Sequence, residues 1–319
     1  MFAFILLIAV ASAMDFKAWT AKHNKHYSAA EALRRRAIFN ANARFVASFN
    51  KEHKMKLSVE GPWAAMTNAE YQKMLTAKRS EKNNAVPMEE LEINLKAATE
   101  LDLRDQGVVP PIRDQGSCGS CYTFGSLASL EGRLLFEKGG NANTLDLSEQ
   151  QLVDCTSSYG NNGCDGGLGT NVYDYIVDNG VAQESTFPYK EVVGTCSYKK
   201  TQAYAKMTGY KKVTSKSASA MKTALAGGIV DTSIDASTIK FQLYSSGAYE
   251  DTSCQTGLLK LNHEVSAVGY GTVDGVECLY VRNSWGTSWG DAGYIYMAMA
   301  ANTCGCLTDA YYPTGVSYA

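Results

Sequence analysis

The chain has 319 residues, 45% of them hydrophobic and 19% charged, which is enough to build more than one packed unit. A net charge of −2 points away from nucleic acid or an anionic membrane surface as a partner. Nine cysteines are many for a reducing compartment, and their odd number leaves at least one thiol outside any internal pairing.

Residues 2–10 form an unbroken apolar run followed by Ala11-Ser12-Ala13, the pattern of a secretory leader (1–13) cut after Ala13. The run is about half the 20 residues a membrane span needs. No Asn-x-Ser/Thr acceptor occurs, so no N-glycan is expected. From Asp15 to about Leu95 the chain is Lys/Asn/Ala-rich and free of cysteine. Glu31, Arg35, Phe39, Asn42 and Val46 recur at steps of three and four, so they share a helix face on which Glu31 and Arg35 can pair. The polar junction 81–87 reads as an exposed, cleavable linker, with a mature chain starting between Glu90 and Ala97.

In Gln115-Gly116-Ser117-Cys118-Gly119-Ser120-Cys121-Tyr122 a Gly-rich run feeds a helix marked by Leu127, Leu130 and Leu134. Ser120 at the N-cap places Cys121 in the first turn, exposed, where unpaired N–H groups and the helix dipole favour thiolate. A redox dithiol would need a strand before it, and Pro110-Pro111 argues against one. Zinc would need a second ligand pair, which the other cysteines do not supply. Two structural cysteines account for Cys118 but not for a thiol at a helix start.

The helix closes at Gly139-Gly140, a short capped helix follows at 147–155, and Val172, Tyr175 and Ile176 mark another ending at Gly180. After a last helix at 217–226, strand-like runs take over at 229–234, 264–269, 278–282 and 294–299. A cleft between a helical and a β-rich half is the expected place for a substrate. Of four histidines, three (His23, His26, His53) precede residue 95. His263 alone remains as a base for Cys121, 142 residues downstream at a strand start. Asn283, at the end of an apolar strand, can accept from its ring and fix its orientation.

These segments resemble the papain-like, cathepsin L-type cysteine proteases made as zymogens, the amoebic cysteine proteinases among them. The signature is the Cys-Gly-Ser-Cys-Tyr segment, with His and Asn about 130–150 residues on. Tyr122 stands where most members carry Trp. The helix face at 31–46, with Ile38 and Asn50, matches the prosegment signature. In the second prosegment motif Trp63 stands at a phenylalanine position and Ala65 at an aspartate position, which removes any acid trigger resting on that carboxylate.

The resemblance implies an α+β, two-lobe fold: a helical inhibitory prosegment (14–93), then a peptidase domain (94–319) with a mainly helical lobe (94–205) and a mainly β lobe (206–319). It implies a Cys121-His263-Asn283 triad, Gln115 as oxyanion donor and Trp285 shielding the His–Asn bond. It pairs Cys118 with Cys164, Cys155 with Cys196 and Cys254 with Cys304, leaving Cys278 and Cys306 open. The substrate would lie along Gly166 and Gly167. The pocket for the residue second before the scissile bond would have Leu168, Gly169, Ser233 and Leu261 as walls, Glu264 close by and Asp309 as floor. A buried carboxylate there predicts a preference for Arg. No cofactor or metal is implied. Partners would be protein and peptide substrates and the chain's own prosegment, with no nucleic acid, and a monomer is expected. The setting would be the secretory pathway, ending outside the cell or in lysosome-like vesicles. Two alternatives keep the fold: a non-catalytic binding or inhibitory homologue, and acyl transfer to an amine.

Overall fold

The computed structural model describes residues 14–75 and 98–319. The leader, the 81–87 junction and the 90–97 maturation boundary expected above lie outside those residues. The chain opens with helices α1 (Phe16–Lys22) and α2 (Ala29–Glu52), strand β1 (Lys56–Leu57) and helix α3 (Asn68–Gln72). Each helix starts at a side-chain cap: Asp15, Ser28, and a Thr67/Glu70 capping box.

The α2 face read from the sequence is the one that packs. Phe39, Asn42, Val46 and Phe49 are buried. Asn42 Nδ2 donates to the carbonyls of Ala64 (2.8 Å) and Met66 (3.0 Å), while Asn50 bonds both backbone groups of Leu57. Arg35 Nε donates to Glu31 at 2.6 Å, and its Nη1 reaches the Ala65 carbonyl (3.1 Å) and Glu70 (3.0 Å). Glu70 also pairs with Arg34, so it joins α2 to the start of α3.

The remainder comprises β2 (Leu101–Asp102), α4 (Cys121–Lys138), α5 (Glu149–Cys155), α6 (Gly169–Asn179), β3 (Ala205–Lys206), β4 (Gly209–Lys212), α7 (Ala218–Leu225) and β5 (Val230–Ile234). Then come α8 (Ile239–Gln242), β6 (Tyr244–Ser246), β7 (Ala248–Tyr249), β8 (His263–Val273), β9 (Val276–Arg282), β10 (Tyr294–Ala298), β11 (Ala310–Thr314) and β12 (Ser317–Tyr318). The fold is α+β. An eight-stranded sheet runs β4-β11-β5-β8-β9-β10-β7, with β2 on β8.

α4 lies against this sheet through Ser266 Oγ, which donates to the Gly125 carbonyl at 3.2 Å, and its leucines Leu127, Leu130 and Leu134 are fully buried. The two halves are not cleanly consecutive. β2 joins the second half's sheet, and β12 returns to pair with β3 while Tyr318 bonds the Gly139 carbonyl. The three disulfides are Cys118–Cys164, Cys155–Cys196 and Cys254–Cys304. Cys278 and Cys306 are buried thiols, and burial pushes each up to about 12.

Candidate active site

Cys121 is the first residue of α4, as the sequence predicts, but two local expectations differ. Ser120 occupies the N-cap position without capping; its hydroxyl instead meets Tyr189 Oη at 2.6 Å. Cys121 is 1% exposed rather than open to solvent. One turn below it, Gly125 packs so closely on β8 that a Cβ there would lie 3.1 Å from Glu264 Cγ. The first turn of α4 therefore sits beside the start of β8, where His263 precedes Glu264.

The His263 ring is fully enclosed, and its Nε2–H donates to Asn283 Oδ1 at 2.8 Å. The amide oxygen only accepts, so this bond leaves Nδ1 as the basic nitrogen. Trp285 stacks on the imidazole at 4.7 Å and 28°, closing one face to water. Burial pushes the His263 pKa down to about 4, with the Asn283 bond opposing it. Burial thus favours the neutral imidazole in this covered state.

Gln115 is held from three sides. Its N–H donates to the Ser284 carbonyl (2.8 Å), its Oε1 accepts from Ser284 Oγ (2.7 Å), and its Nε2 donates to the Cys118 carbonyl (3.0 Å). One Nε2–H is left over by this arrangement. The Cys118–Cys164 bridge and the Gly119 N–H to Cys164 carbonyl bond (2.9 Å) tie this loop to residues 163–169. There Gly166 has φ +109°, and a Cβ on Gly167 would strike Asn161, whose Oδ1 takes the Leu168 N–H at 2.8 Å.

The proposed pocket residues also converge. The Gly169 N–H donates to Glu264 Oε2 at 3.1 Å, and Ser233 N donates to the Asp309 carbonyl at 3.0 Å. Leu261 lies on the Cys304–Cys306 turn, its Cδ2 2.5 Å from where a Gly305 Cβ would be. Asp309, however, is 2% exposed and paired with Lys212 Nζ at 3.1 Å, so its charge is not uncompensated.

The described part of the prosegment packs beside this site. Trp63 and Tyr71 meet Trp285 edge-on at 5.7 and 5.8 Å. Gln242 of α8 donates to the Trp63 and Met66 carbonyls, Tyr71 Oη donates to Ala236, and β1 pairs with β6. Sequence reasoning missed Ser284, Lys212 and Asp231. For Asp231 the signal was present, since in a strand it shares the face of Ser233 two residues on.

A helix headed by a buried cysteine, a histidine bonded to an asparagine under a tryptophan, and a helical segment docked beside them are what a thiol protease zymogen requires, and the comparisons agree. Residues 97–314 match the papain family cysteine proteases, and residues 16–71 match the cathepsin propeptide inhibitor domain (I29). The chain belongs to the papain family. It is 60% identical to cysteine proteinase 2 of Entamoeba histolytica over 100% of both chains, and 55% identical to cysteine proteinase 1 of that organism over 100% of both. Digestive procathepsin L 3 from Tenebrio molitor larval midgut superposes with a TM-score of 0.85 at 32% identity, covering 93% of this chain and 97% of that one. The stem bromelain precursor gives 0.83 at 33% identity over 94% and 97%.

Proposed function

We propose that this cysteine proteinase zymogen matures to an endopeptidase working through Cys121, His263 and Asn283. The observation carrying this reading is the His263 Nε2–Asn283 bond at 2.8 Å under Trp285, which leaves Nδ1 as the base, with Cys121 at the head of the helix packed on the same strand. His263 takes the thiol proton, and the sulfur attacks the peptide carbonyl carbon. The remaining Gln115 Nε2–H and the Cys121 N–H hold the resulting oxyanion. The C–N bond breaks as His263 returns the proton to the departing amine. A water deprotonated by His263 then cleaves the acyl-enzyme and frees the thiol.

The substrate would run along Gly166–Gly167, with its second residue before the scissile bond between Leu168, Gly169, Ser233, Leu261 and Glu264. Arg is the preferred residue there, because buried carboxylates line the inner end and the flanking leucines suit its methylenes. Asp309 is the weaker candidate as the selecting group, since Lys212 competes for it. The prosegment acts as the chain's own inhibitor, and the enzyme works as a monomer in the secretory pathway or lysosome-like vesicles.

The test uses the processed enzyme on matched peptides with Arg or Leu at that position. Arg should be favoured in kcat/KM by about 1–3 kcal/mol. A preference for Leu contradicts the pocket assignment, and an active Cys121→Ser protein contradicts the mechanism.

A further inference from the structure

The residues assigned above to the inner end of the pocket share one face of the sheet. Asp231 and Ser233 alternate onto it from β5, with Glu264 directly opposite Ser233 on β8 and Ser266 opposite Asp231. On β11, Tyr311 lies opposite Asp231, and the Asp309 backbone accepts from Ser233. Two glycines on the facing helices make room for the carboxyl groups. A Cβ on Gly169 would fall 1.8 Å from Glu264 Oε1 and 2.5 Å from Asp231 Oδ2. A Cβ on Gly125 would fall 2.9 Å from Asp231 Oδ1 and 3.1 Å from Glu264 Cγ. The two side chains thus meet around the same two points, each residue only 2% exposed.

The groups facing them are Tyr173 of α6, whose hydroxyl lies 3.3 Å from Asp231 Oδ2, the Gly169 N–H, Ser266, Tyr311, and the Asp309–Lys212 pair. A second feature marks the place as a ligand site. The Ser233 hydroxyl, fully buried on the same face, has no hydrogen-bond partner among the described residues. A buried polar group of this kind is matched when a ligand arrives.

We propose that Asp231 and Glu264 form a carboxyl dyad sharing one proton at the inner end of this pocket. Glu264 is the group that receives a substrate guanidinium, and Asp231 is a positioning residue that sets its charge. This rests on the pocket reading above. Two carboxyls this close in a dry site do not both ionise, so the resting pair carries one negative charge. An arriving guanidinium favours the doubly ionised pair, and the shared proton leaves to solvent. Binding of Arg is therefore linked to proton release and strengthens as pH rises, whereas binding of Leu is not.

The experiment measures kcat/KM of the processed enzyme on the matched Arg and Leu peptides between about pH 4 and 8, taking their ratio to cancel the catalytic groups. The wild-type ratio should climb with pH. Asp231→Asn should give a ratio that is already high at low pH and flat, because Glu264 then ionises alone. Glu264→Gln should lower the ratio about tenfold or more at high pH. Asp309→Asn should keep the upward slope with pH, whatever it does to the height of the ratio, because the shared proton remains.

If wild type does not favour Arg at any pH, the pocket reading itself fails. If wild type favours Arg with a ratio independent of pH, or if only Asp309→Asn removes the preference, the dyad is wrong. Should Asp231→Asn not fold, calorimetry of wild type with a reversible peptide aldehyde bearing Arg at that position decides the matter. Heats that differ between buffers by one released proton support the dyad, and buffer-independent heats overturn it.

Discussion

At the residue scale, the site depends on groups that hold others in place. Gln115 owes its orientation to Ser284, which grips it through both backbone and side chain. Gln115→Ala should cost about 10²–10³ in kcat with KM little changed, as loss of an oxyanion donor does. Ser284→Ala should lose activity in the same kcat-weighted way but less, about tenfold, because the donor remains and only its aim suffers. Steady-state kinetics on one peptide checks both. His263 gives a second test. Its folded pKa is lowered, so burial favours neutral imidazole and the associated stability is lost as pH falls from about 6.5 toward about 4. NMR titration of unprocessed Cys121→Ser protein should show the ring neutral at pH 5. Once the prosegment is gone and water reaches the cleft, the pKa should rise.

At the element scale, the prosegment is held by aromatic contacts on Trp285 and by hydrogen bonds to α8 and β6. Trp63→Ala removes a side chain that is 6% exposed, and such truncations cost about 3–5 kcal/mol. The full-length variant should therefore show peptidase activity before processing, where the parent shows none. Acid sensitivity should come from His23 rather than Glu70. Burial opposes it, but the Thr67 N–H, Arg34 and Arg35 hold Glu70 down at about 2, so that contribution begins to fail only below about pH 4.3.

The His23 pKa is also lowered, here by its own burial, assisted by Lys22 and Lys25, while Glu60 and Asp114 oppose. A lowered histidine pKa stabilises the neutral, docked form, and that stability is lost as pH falls below about 6.5. His23→Gln should move the pH of half-maximal self-processing down by about 0.5–1 unit, read by gel densitometry across a pH series.

The same scale shows what was readable beforehand. Helix α2, its packing face and α4's leucine stripe follow from period alone, because burial there is local to one element. Lys212 on Asp309 was not readable. It depends on the β4–β11 pairing of segments about 100 residues apart, and sequence spacing carries no register for that.

At the scale of the whole molecule, the architecture brings the head of α4 beside the start of β8 and packs Trp63 and Tyr71 of the prosegment on Trp285, the residue that stacks on His263. The proposed triad can be read from the sequence because the part after residue 97 holds a single histidine, His263, at a telling distance from Cys121. Its protonation state cannot, since that depends on a burial that only the folded, covered cleft creates. The central claim is that Cys121 is the nucleophile and that the prosegment withholds it. The direct measurement is labelling by an epoxide inactivator, mapped by peptide mass spectrometry before and after processing, alongside His263→Ala. The account predicts modification at Cys121 alone, fast after processing, slow before it, and much slower without His263. Equal labelling before and after processing, or modification at Cys278 or Cys306 instead, contradicts it.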